Sequence, residues 1–316
     1  MTVLSEQSYL RGGLIKMGKE PLVSVVVVNW NRKEDLRECL ESLRNQTYKN
    51  IEIIVVDNCS TDSSIEMIKR DFPEVKLIVM PDSSYGAIET YNIGIKEARG
   101  EFILHLDNDT ILNCNVIEEL VRVMNEDSKV GVVGPKILFW DHNGRKNIIW
   151  FAGGIADIKR GKIYHKKIGK PDDKNMEIEE VDFITGCCML IRKNILDKIG
   201  VFDESLFIYC DDIDFCLRAK KAGFKILYNP KAVVWHKVSA TSKGAFSSRK
   251  AYFKYRNTII LIRKHGRLTL RTLMNVLIDA VLYSHGSFKT DKRDFLHTPF
   301  KILKALIDGV RCKVVK

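Results

Sequence analysis

Short β-branched runs alternate with amphipathic stretches through the first hundred residues. Val23–Val28 is an almost unbroken apolar run, the pattern of a strand covered on both faces. After Asn29-Trp30-Asn31, the residues Leu36, Cys39, Leu40 and Leu43 recur at i, i+3, i+4 and i+7, which predicts a helix. Ile51–Val56 reads as a second buried strand, closed by the polar cluster Asp57-Asn58-Cys59-Ser60-Thr61-Asp62. A helix carrying Ile65, Met67 and Ile68 then stops before Pro73. Val75–Met80 is a third strand, Ala87–Ala98 a helix ended by Gly100, and Phe102–Leu106 a fourth strand. The order β-α-β-α-β-α-β predicts a parallel sheet covered by helices. Its polar strand ends, Asp57 and the pair Asp107/Asp109, then fall along one crevice.

The second half is less regular. Gly131–Phe139 predicts a strand, Trp140–Lys174 a loop-rich basic insertion, and Val181–Arg192 an apolar segment around Thr185-Gly186-Cys187-Cys188. A helix is expected from about Asp211 to Ala222, followed by two strands, Phe224–Tyr228 and Ala232–Trp235. Nearer the end, Arg267, Arg271, Asn275 and Asp279 recur every four residues in a segment that runs to Tyr283. On a helix they form a narrow polar stripe beside a wide apolar face. Such a face is either buried in the protein or laid on a membrane interface.

Composition changes this picture in one respect. The chain has 316 residues, enough for one large core or two smaller ones, and carries a net charge of +11. Thr241 to Lys316 holds 17 Lys and Arg against 4 Asp and Glu, so the remaining 240 residues are slightly acidic. A tail so charged suits anionic lipid, nucleic acid or an acidic partner, and it equally suits a solvated helical surface. Met1–Glu20 is polar and reads as a lead-in without the apolar core of a signal peptide. No stretch is long and apolar enough to span a bilayer. The eight cysteines lack zinc-ligand spacing and read as small apolar residues in a reducing cytoplasm. Neither a Gly-x-Gly-x-x-Gly after the first strand nor a Gly-Lys-Ser/Thr loop is present, so a dinucleotide site or P-loop is not expected.

Two acidic clusters carry the candidate chemistry. Phe102 to Thr110 reads as a strand that ends in Asp107-Asn108-Asp109. Two carboxylates one residue apart at a strand end can hold a divalent cation, Mn²⁺ or Mg²⁺, and the cation can hold a diphosphate. The same residues also make good turns and helix caps. Asp211, Asp212 and Asp214 open the predicted helix at 211, where acids complement the helix dipole. Three acids in four positions exceed what capping needs. His236 ends an apolar strand, whereas His105, inside the fourth strand, is expected in the core.

At these residues the chain resembles a known family. Val-Ser-Val-Val-Val-Val-Asn-Trp-Asn, then Ile-Glu-Ile-Ile-Val-Val-Asp-Asn-Cys-Ser-Thr-Asp, then Leu-Asp-Asn-Asp-Thr are similar to the family 2 glycosyltransferases. Phe-Asp-Glu-Ser-Leu-Phe-Ile-Tyr-Cys-Asp-Asp-Ile-Asp-Phe-Cys-Leu-Arg, followed by Val-Trp-His-Lys-Val-Ser-Ala, resembles the rhamnosyltransferase-like branch that extends cell-surface polysaccharides. The likeness runs collinearly over roughly residues 21–265.

The resemblance implies a GT-A fold: an α/β, doubly wound, mainly parallel sheet with a nucleotide-binding half, an acceptor half and a C-terminal helical extension. It divides the chain into a lead-in at 1–20, a catalytic domain at 21–240 and a basic helical extension at 241–316. It implies that Asn29 and Asp57 meet the nucleotide, that Gly86 and Asn92 lie against the diphosphate and sugar, and that Asp107 sits near the ribose or the metal. Asp109 and His236 would be the metal ligands, with Asp109 the more direct. Thr185, Gly186 and Tyr209 would border the acceptor, and Asp212 of the Asp211-Asp212 pair would be the catalytic base. Ser83-Ser84-Tyr85-Gly86-Ala87 departs from the family's usual Asn-x-Gly-Phe-Ala, which bears on the donor sugar.

The activity so implied is inverting transfer from dTDP-rhamnose or a UDP-sugar to a glycan or lipid-linked acceptor. It would take place in the cytoplasm or on the cytoplasmic face of the membrane, with the basic tail toward anionic lipid. Two other readings remain at this level. A nucleotidyltransferase would carry a Gly-rich basic loop where Asn29-Trp30-Asn31-Arg32 stands, and a nucleic-acid-binding protein would carry a recognisable module. Nucleic acid is not an expected partner.

Overall fold

The computed structural model describes residues 20–238, 247–290 and 292–314, so the expected lead-in at 1–20, its last residue apart, lies outside them. The first half follows the predicted alternation: β1 (Val23–Asn29), α1 (Lys33–Arg44), β2 (Ile51–Asp57), α2 (Ser64–Asp71), β3 (Lys76–Val79), α3 (Ala87–Glu97) and β4 (Phe102–Asp107). Next come β5 (Thr110–Leu112), α4 (Val116–Glu126), β6 (Val130–Phe139), β7 (Ile149–Phe151), β8 (Gly154–Asp157), β9 (Lys162–His165), β10 (Glu179–Glu180) and β11 (Cys188–Arg192). After α5 (Leu196–Ile199), α6 (Asp211–Lys221) and β12 (Lys225–His236), the chain ends in α7 (Ser248–His265), α8 (Leu270–Thr290) and α9 (Lys292–Arg311).

The main sheet runs β10-β12-β6-β11-β4-β1-β2-β3, with β5 on β12 and β7 on β6. β3, β2, β1 and β4 are parallel neighbours, as are β6 and β12. Antiparallel β11 joins these two blocks, pairing with β4 on one side and β6 on the other. The sheet is therefore mixed, although its larger block is parallel. Val23, Val25–Val27, Ile54–Val56 and Phe102–Leu104 are fully buried, as helix-covered strands should be.

Two local expectations change. The loop-rich insertion at 140–174 contains β7 and a β8–β9 hairpin. Strands of three or four residues interrupted by glycine carry too little alternation to be legible. The two strands expected at 224–235 are one strand, β12, with a register break between Asn229 and Val233. Pro230 stands inside that break and has no N–H to give the ladder, which is why the pattern divides there.

The C-terminal helices do not hang free. Ile260 and Leu261 of α7 belong to the main core, while Ala251, Tyr255, Ile259 and Ile262 form a second core with Val276, Ala280 and Tyr283 of α8 and Ile302 and Ala305 of α9. The polar stripe expected on α8 faces protein in part. Asn275 Nδ2 donates to the Arg160 carbonyl at 2.7 Å, and Asp279 accepts from Lys254 and the Tyr255 hydroxyl at 2.7 and 2.8 Å. Much of the apolar face is left in solvent.

Candidate active site

Register brings the first polar strand ends together. Asn29 stands beside Asp57 across β1–β2, and Val28 beside Asp107 across β1–β4. Asn29 Nδ2 donates to Asp57 Oδ2 at 2.8 Å, and its Oδ1 accepts from Asn108 Nδ2 at 2.7 Å. Asp57 Oδ1 accepts from the Ser60 backbone N–H at 2.7 Å and Oδ2 from the Ser60 hydroxyl at 2.8 Å. Asn29 and Asp57 are fully buried, so here they shape the floor of the crevice where contact with a nucleotide was expected.

Asp107 sits on that floor, held from two sides. The Tyr91 hydroxyl lies 3.0 Å from its Oδ1, and its backbone N–H donates to the Cys187 carbonyl at 3.0 Å. Burial, followed by the neighbouring Asp109, pushes the Asp107 carboxyl up to about 6. Asp109 lies just beyond the strand end, where antiparallel pairing of β5 with β12 sets His236 opposite Thr110. His236 Nε2 is 3.0 Å from Asp109 Oδ1, Arg32 Nη2 is 3.7 Å from Oδ2, and Lys237 N–H donates to the Asp109 carbonyl at 3.0 Å. Burial alone would raise Asp109, but the His236 hydrogen bond and the charges of His236 and Arg32 outweigh it, and its pKa is lowered.

These residues fit a divalent cation. Ligand atoms of Asp107, Cys187 and His236 lie within 4.8 Å of one another. His236 Nδ1 is buried and without a hydrogen-bond partner among the described residues. Adjacent ligands in an octahedral shell with bonds of about 2.1 Å are roughly 3.0 Å apart, the separation seen between Asp109 and His236. Sequence position separates Cys187 from every other candidate ligand, and spacing rules gave no reason to include it. Burial and the two aspartates hold its thiol well above the usual range, so Cys187 lines the site without offering the thiolate that a metal takes.

The second acidic cluster is joined to the first by a chain of contacts. Asp212, in the first turn of α6, accepts from Ile213 N–H through Oδ1 at 2.8 Å and from Gly186 N–H through Oδ2 at 3.0 Å. Gly186 in turn bonds His105 Nδ1 through its carbonyl, and the His105 ring packs on Tyr91 at 3.6 Å between centroids. A Cβ at Gly186 would come within 2.8 Å of His105 Cε1, so only glycine allows this approach. Burial lowers His105 to about 4, leaving the ring neutral near pH 7. His105 is in the core, as expected, but it also spaces the two carboxylate clusters. Burial raises the pKa of Asp212, and burial with the neighbouring Asp212 charge raises that of Asp211 well above the ordinary carboxylate range.

Other expected site residues have internal partners. Gly86 precedes α3, where a Cβ would come 2.9 Å from the Phe207 ring. Asn92 is fully buried; its Nδ2 donates to Phe202 O and Glu204 Oε1, both at 2.9 Å, and its Oδ1 accepts from Phe202 N–H at 3.1 Å. Through these bonds Asn92 ties α3 to the loop ahead of α6. Thr185 is buried behind Asp212, while Tyr209 is exposed at the rim.

The loop ahead of α6 reveals residues that sequence reasoning missed. Phe207, Tyr209 and Cys210 all have positive φ, near +65°, which non-glycine residues rarely adopt. Asn257 of α7 is buried beneath them, its Nδ2 lying 2.8–2.9 Å from the carbonyls of Leu206, Ile208 and Tyr209. Asp214, fully buried on α6, meets Arg218 at 2.8 Å, Lys264 at 2.9 Å and His265 at 2.7 Å. A helix belonging to the basic extension therefore positions both the loop and the acidic helix. The available signal was an asparagine on α7 in helical register with Phe253, Ile260 and Leu261.

The family model described as Glycosyl transferase family 2 matches residues 24–200. An uncharacterized glycosyltransferase of Rickettsia typhi is 31% identical over 204 residues, 61% of this chain and 57% of that protein. The poly-β-1,6-N-acetyl-D-glucosamine synthase of Staphylococcus epidermidis is 24% identical over 267 residues, 82% of this chain and 60% of that protein. The crystal structure of GalNAc-T7 with UDP, GalNAc and Mn²⁺ superposes with a TM-score of 0.60 over 78% of this chain and 48% of that one, at 18% identity. This last is a likeness of fold.

Proposed function

Since the chain belongs to glycosyl transferase family 2, we propose that it is an inverting, metal-dependent enzyme that moves a sugar from a nucleoside diphosphate to a glycan or lipid-linked acceptor. The product would be a cell-surface polysaccharide or glycoprotein, and the Staphylococcus relative supports the polysaccharide reading. One observation carries the proposal. The carboxylates of Asp107 and Asp109 with His236, and those of Asp211 and Asp212, stand close enough within one crevice to perturb one another.

The steps follow from the residues. Asp107, Asp109 and His236 would hold Mn²⁺ or Mg²⁺, which when bound neutralises the charge of the departing diphosphate. The acceptor hydroxyl attacks the anomeric carbon as the bond to the diphosphate oxygen breaks. Asp212 takes the hydroxyl proton. Its oxygens are oriented by the Gly186 and Ile213 N–H groups yet keep lone pairs for that proton. The adjacent Asp211 carboxylate strengthens the pair's hold on it. Tyr209 at the rim and Thr185-Gly186 behind Asp212 border the acceptor, and Asn29, Asp57, Gly86 and Asn92 build the donor side from beneath.

The donor is read as dTDP-rhamnose or a UDP-sugar, the latter supported by the UDP-bound structural neighbour. Such donors suit a cytoplasmic enzyme. A panel of nucleotide sugars, each incubated with the protein and Mn²⁺ or Mg²⁺, tests the proposal through release of nucleoside diphosphate. One donor should be hydrolysed slowly in a chelator-sensitive way. Chelator-insensitive turnover would overturn the metal reading, and no turnover of any donor would overturn the whole.

A further inference from the structure

We propose that the outer face of α8 and α9 docks the protein onto an anionic bilayer surface. Among the described residues, eleven of the eighteen exposed large apolar side chains lie on these two helices. On α9, Leu296, Phe300, Leu303, Ile307 and Val310 recur at intervals of four and three, and all are 42–76% exposed. On α8, Leu270, Met274, Ile278 and Leu282 keep a helical spacing of four and are 51–78% exposed. Both helices pack on α7 through their opposite faces, so the exposed stripes are not a missing part of this core. Monomeric proteins rarely leave an apolar surface of this extent in water without a partner.

Charge selects the partner. Arg271, Lys301 and Arg311 are exposed beside the stripes. Two acids of these helices are partnered from α7: Asp279, itself exposed, accepts from Lys254 and Tyr255, and Asp308 accepts from Tyr252. Among the described residues of the two helices, exposed Arg271, Lys301, Lys304 and Arg311 outnumber the one exposed acid, Asp279, so pairing this face with a second copy of itself would bring like charges together. An anionic headgroup layer matches both the charge and the leucine- and phenylalanine-rich stripes. No described helix is long and apolar enough to cross a membrane, so the helices would lie along its surface. The Tyr283 hydroxyl meets the backbone of Ser247 at 3.2 Å, at the start of α7, and Lys250 in the first turn of α7 feels the charge of Asp109. The docking face is therefore one helix away from the crevice. The proposal does not rest on the transferase reading.

The full chain is floated with vesicles of phosphatidylcholine alone and of phosphatidylcholine mixed equally with phosphatidylglycerol. Wild type should partition into the mixed vesicles, and raised salt should weaken it. Phe300→Glu with Leu303→Glu should lower partitioning by about tenfold or more, and Arg271→Glu with Lys301→Glu should abolish the preference for the anionic vesicles. Circular dichroism checks that each variant keeps its helices. Absence of binding to either vesicle, or equal binding by wild type and both variants, overturns the proposal. So does a stable wild-type dimer in light scattering that the Phe300/Leu303 variant splits, because the face would then belong to a second copy.

Discussion

His236 Nε2 lies 3.0 Å from Asp109 Oδ1, although the two residues are 127 positions apart in the chain and are brought together by the β5–β12 pairing. In the neutral ring this hydrogen bond leaves Nδ1 as the lone-pair atom, and that atom is buried with no hydrogen-bond partner among the described residues. A cation held by Asp109 Oδ1 and His236 Nε2 would take the place of the shared proton, which in the neutral ring then moves to Nδ1. His236→Ala and Asp109→Ala should each weaken Mn²⁺-dependent donor binding by about 10- to 100-fold. Calorimetric titration of the donor with and without Mn²⁺ measures this. Unchanged affinity in either variant would remove that residue from the metal shell.

Asp212 accepts from two backbone N–H groups, so it is oriented before any acceptor arrives. Asp212→Asn should leave donor affinity near wild type and lower the transfer rate by about 10²- to 10⁴-fold. Asp211→Asn should cost less. If Asp211→Asn proves the more damaging and Asp212→Asn keeps its turnover, the base is Asp211.

Asn257 contributes from outside the crevice. Its amide reaches the carbonyls of Leu206, Ile208 and Tyr209 and thereby holds a loop with three left-handed non-glycine residues. Asn257→Ala should destabilise the protein by about 1–3 kcal/mol. It should also raise the acceptor KM more than the donor KM, with faster hydrogen exchange at residues 206–210. A uniform loss of stability with both KM values unchanged would make the role merely structural.

Asp214 gives a pH-dependent signature. Burial opposes its charge, but His265, Arg218 and Lys264 more than compensate, and its carboxyl falls from 3.8 to about 2. A folded pKa below the unfolded one adds stability that is complete above the unfolded value. That stability is lost as pH falls from about 4 toward 2 and amounts to roughly 2 kcal/mol. Asp214→Asn should therefore be clearly less stable than wild type in urea at about pH 6, with a narrower gap at about pH 3. A gap independent of pH would argue against the ionised form as the anchor.

Much of this was legible in the chain. Val23–Val28, Ile51–Val56 and Phe102–Leu106 announce buried strands because helix cover on both faces demands continuous apolar residues. Asp57, Asp107 and Asp109 follow those strands directly, so parallel order alone puts them on one edge. The hairpin in 140–174 and the continuity of β12 were not legible, since short strands and a bulge at Pro230 break the periodicity that pattern reading uses. Nor did spacing suggest Cys187 or Asn257, whose partners lie far away in sequence.

The sequence by itself therefore determined which strands are central and where their acidic ends lie, because burial periodicity and chain order are local properties. Only the tertiary structure decided which polar groups remain available. It buried Asp57 and Asn92 in internal hydrogen bonds, carried His236 to Asp109 and Cys187 to Asp107, and linked Asp107 to Asp212 through Tyr91, His105 and Gly186. The reason is physical: a polar side chain's role depends on whether folding supplies it a partner, and those partners come from strands and helices distant in the chain.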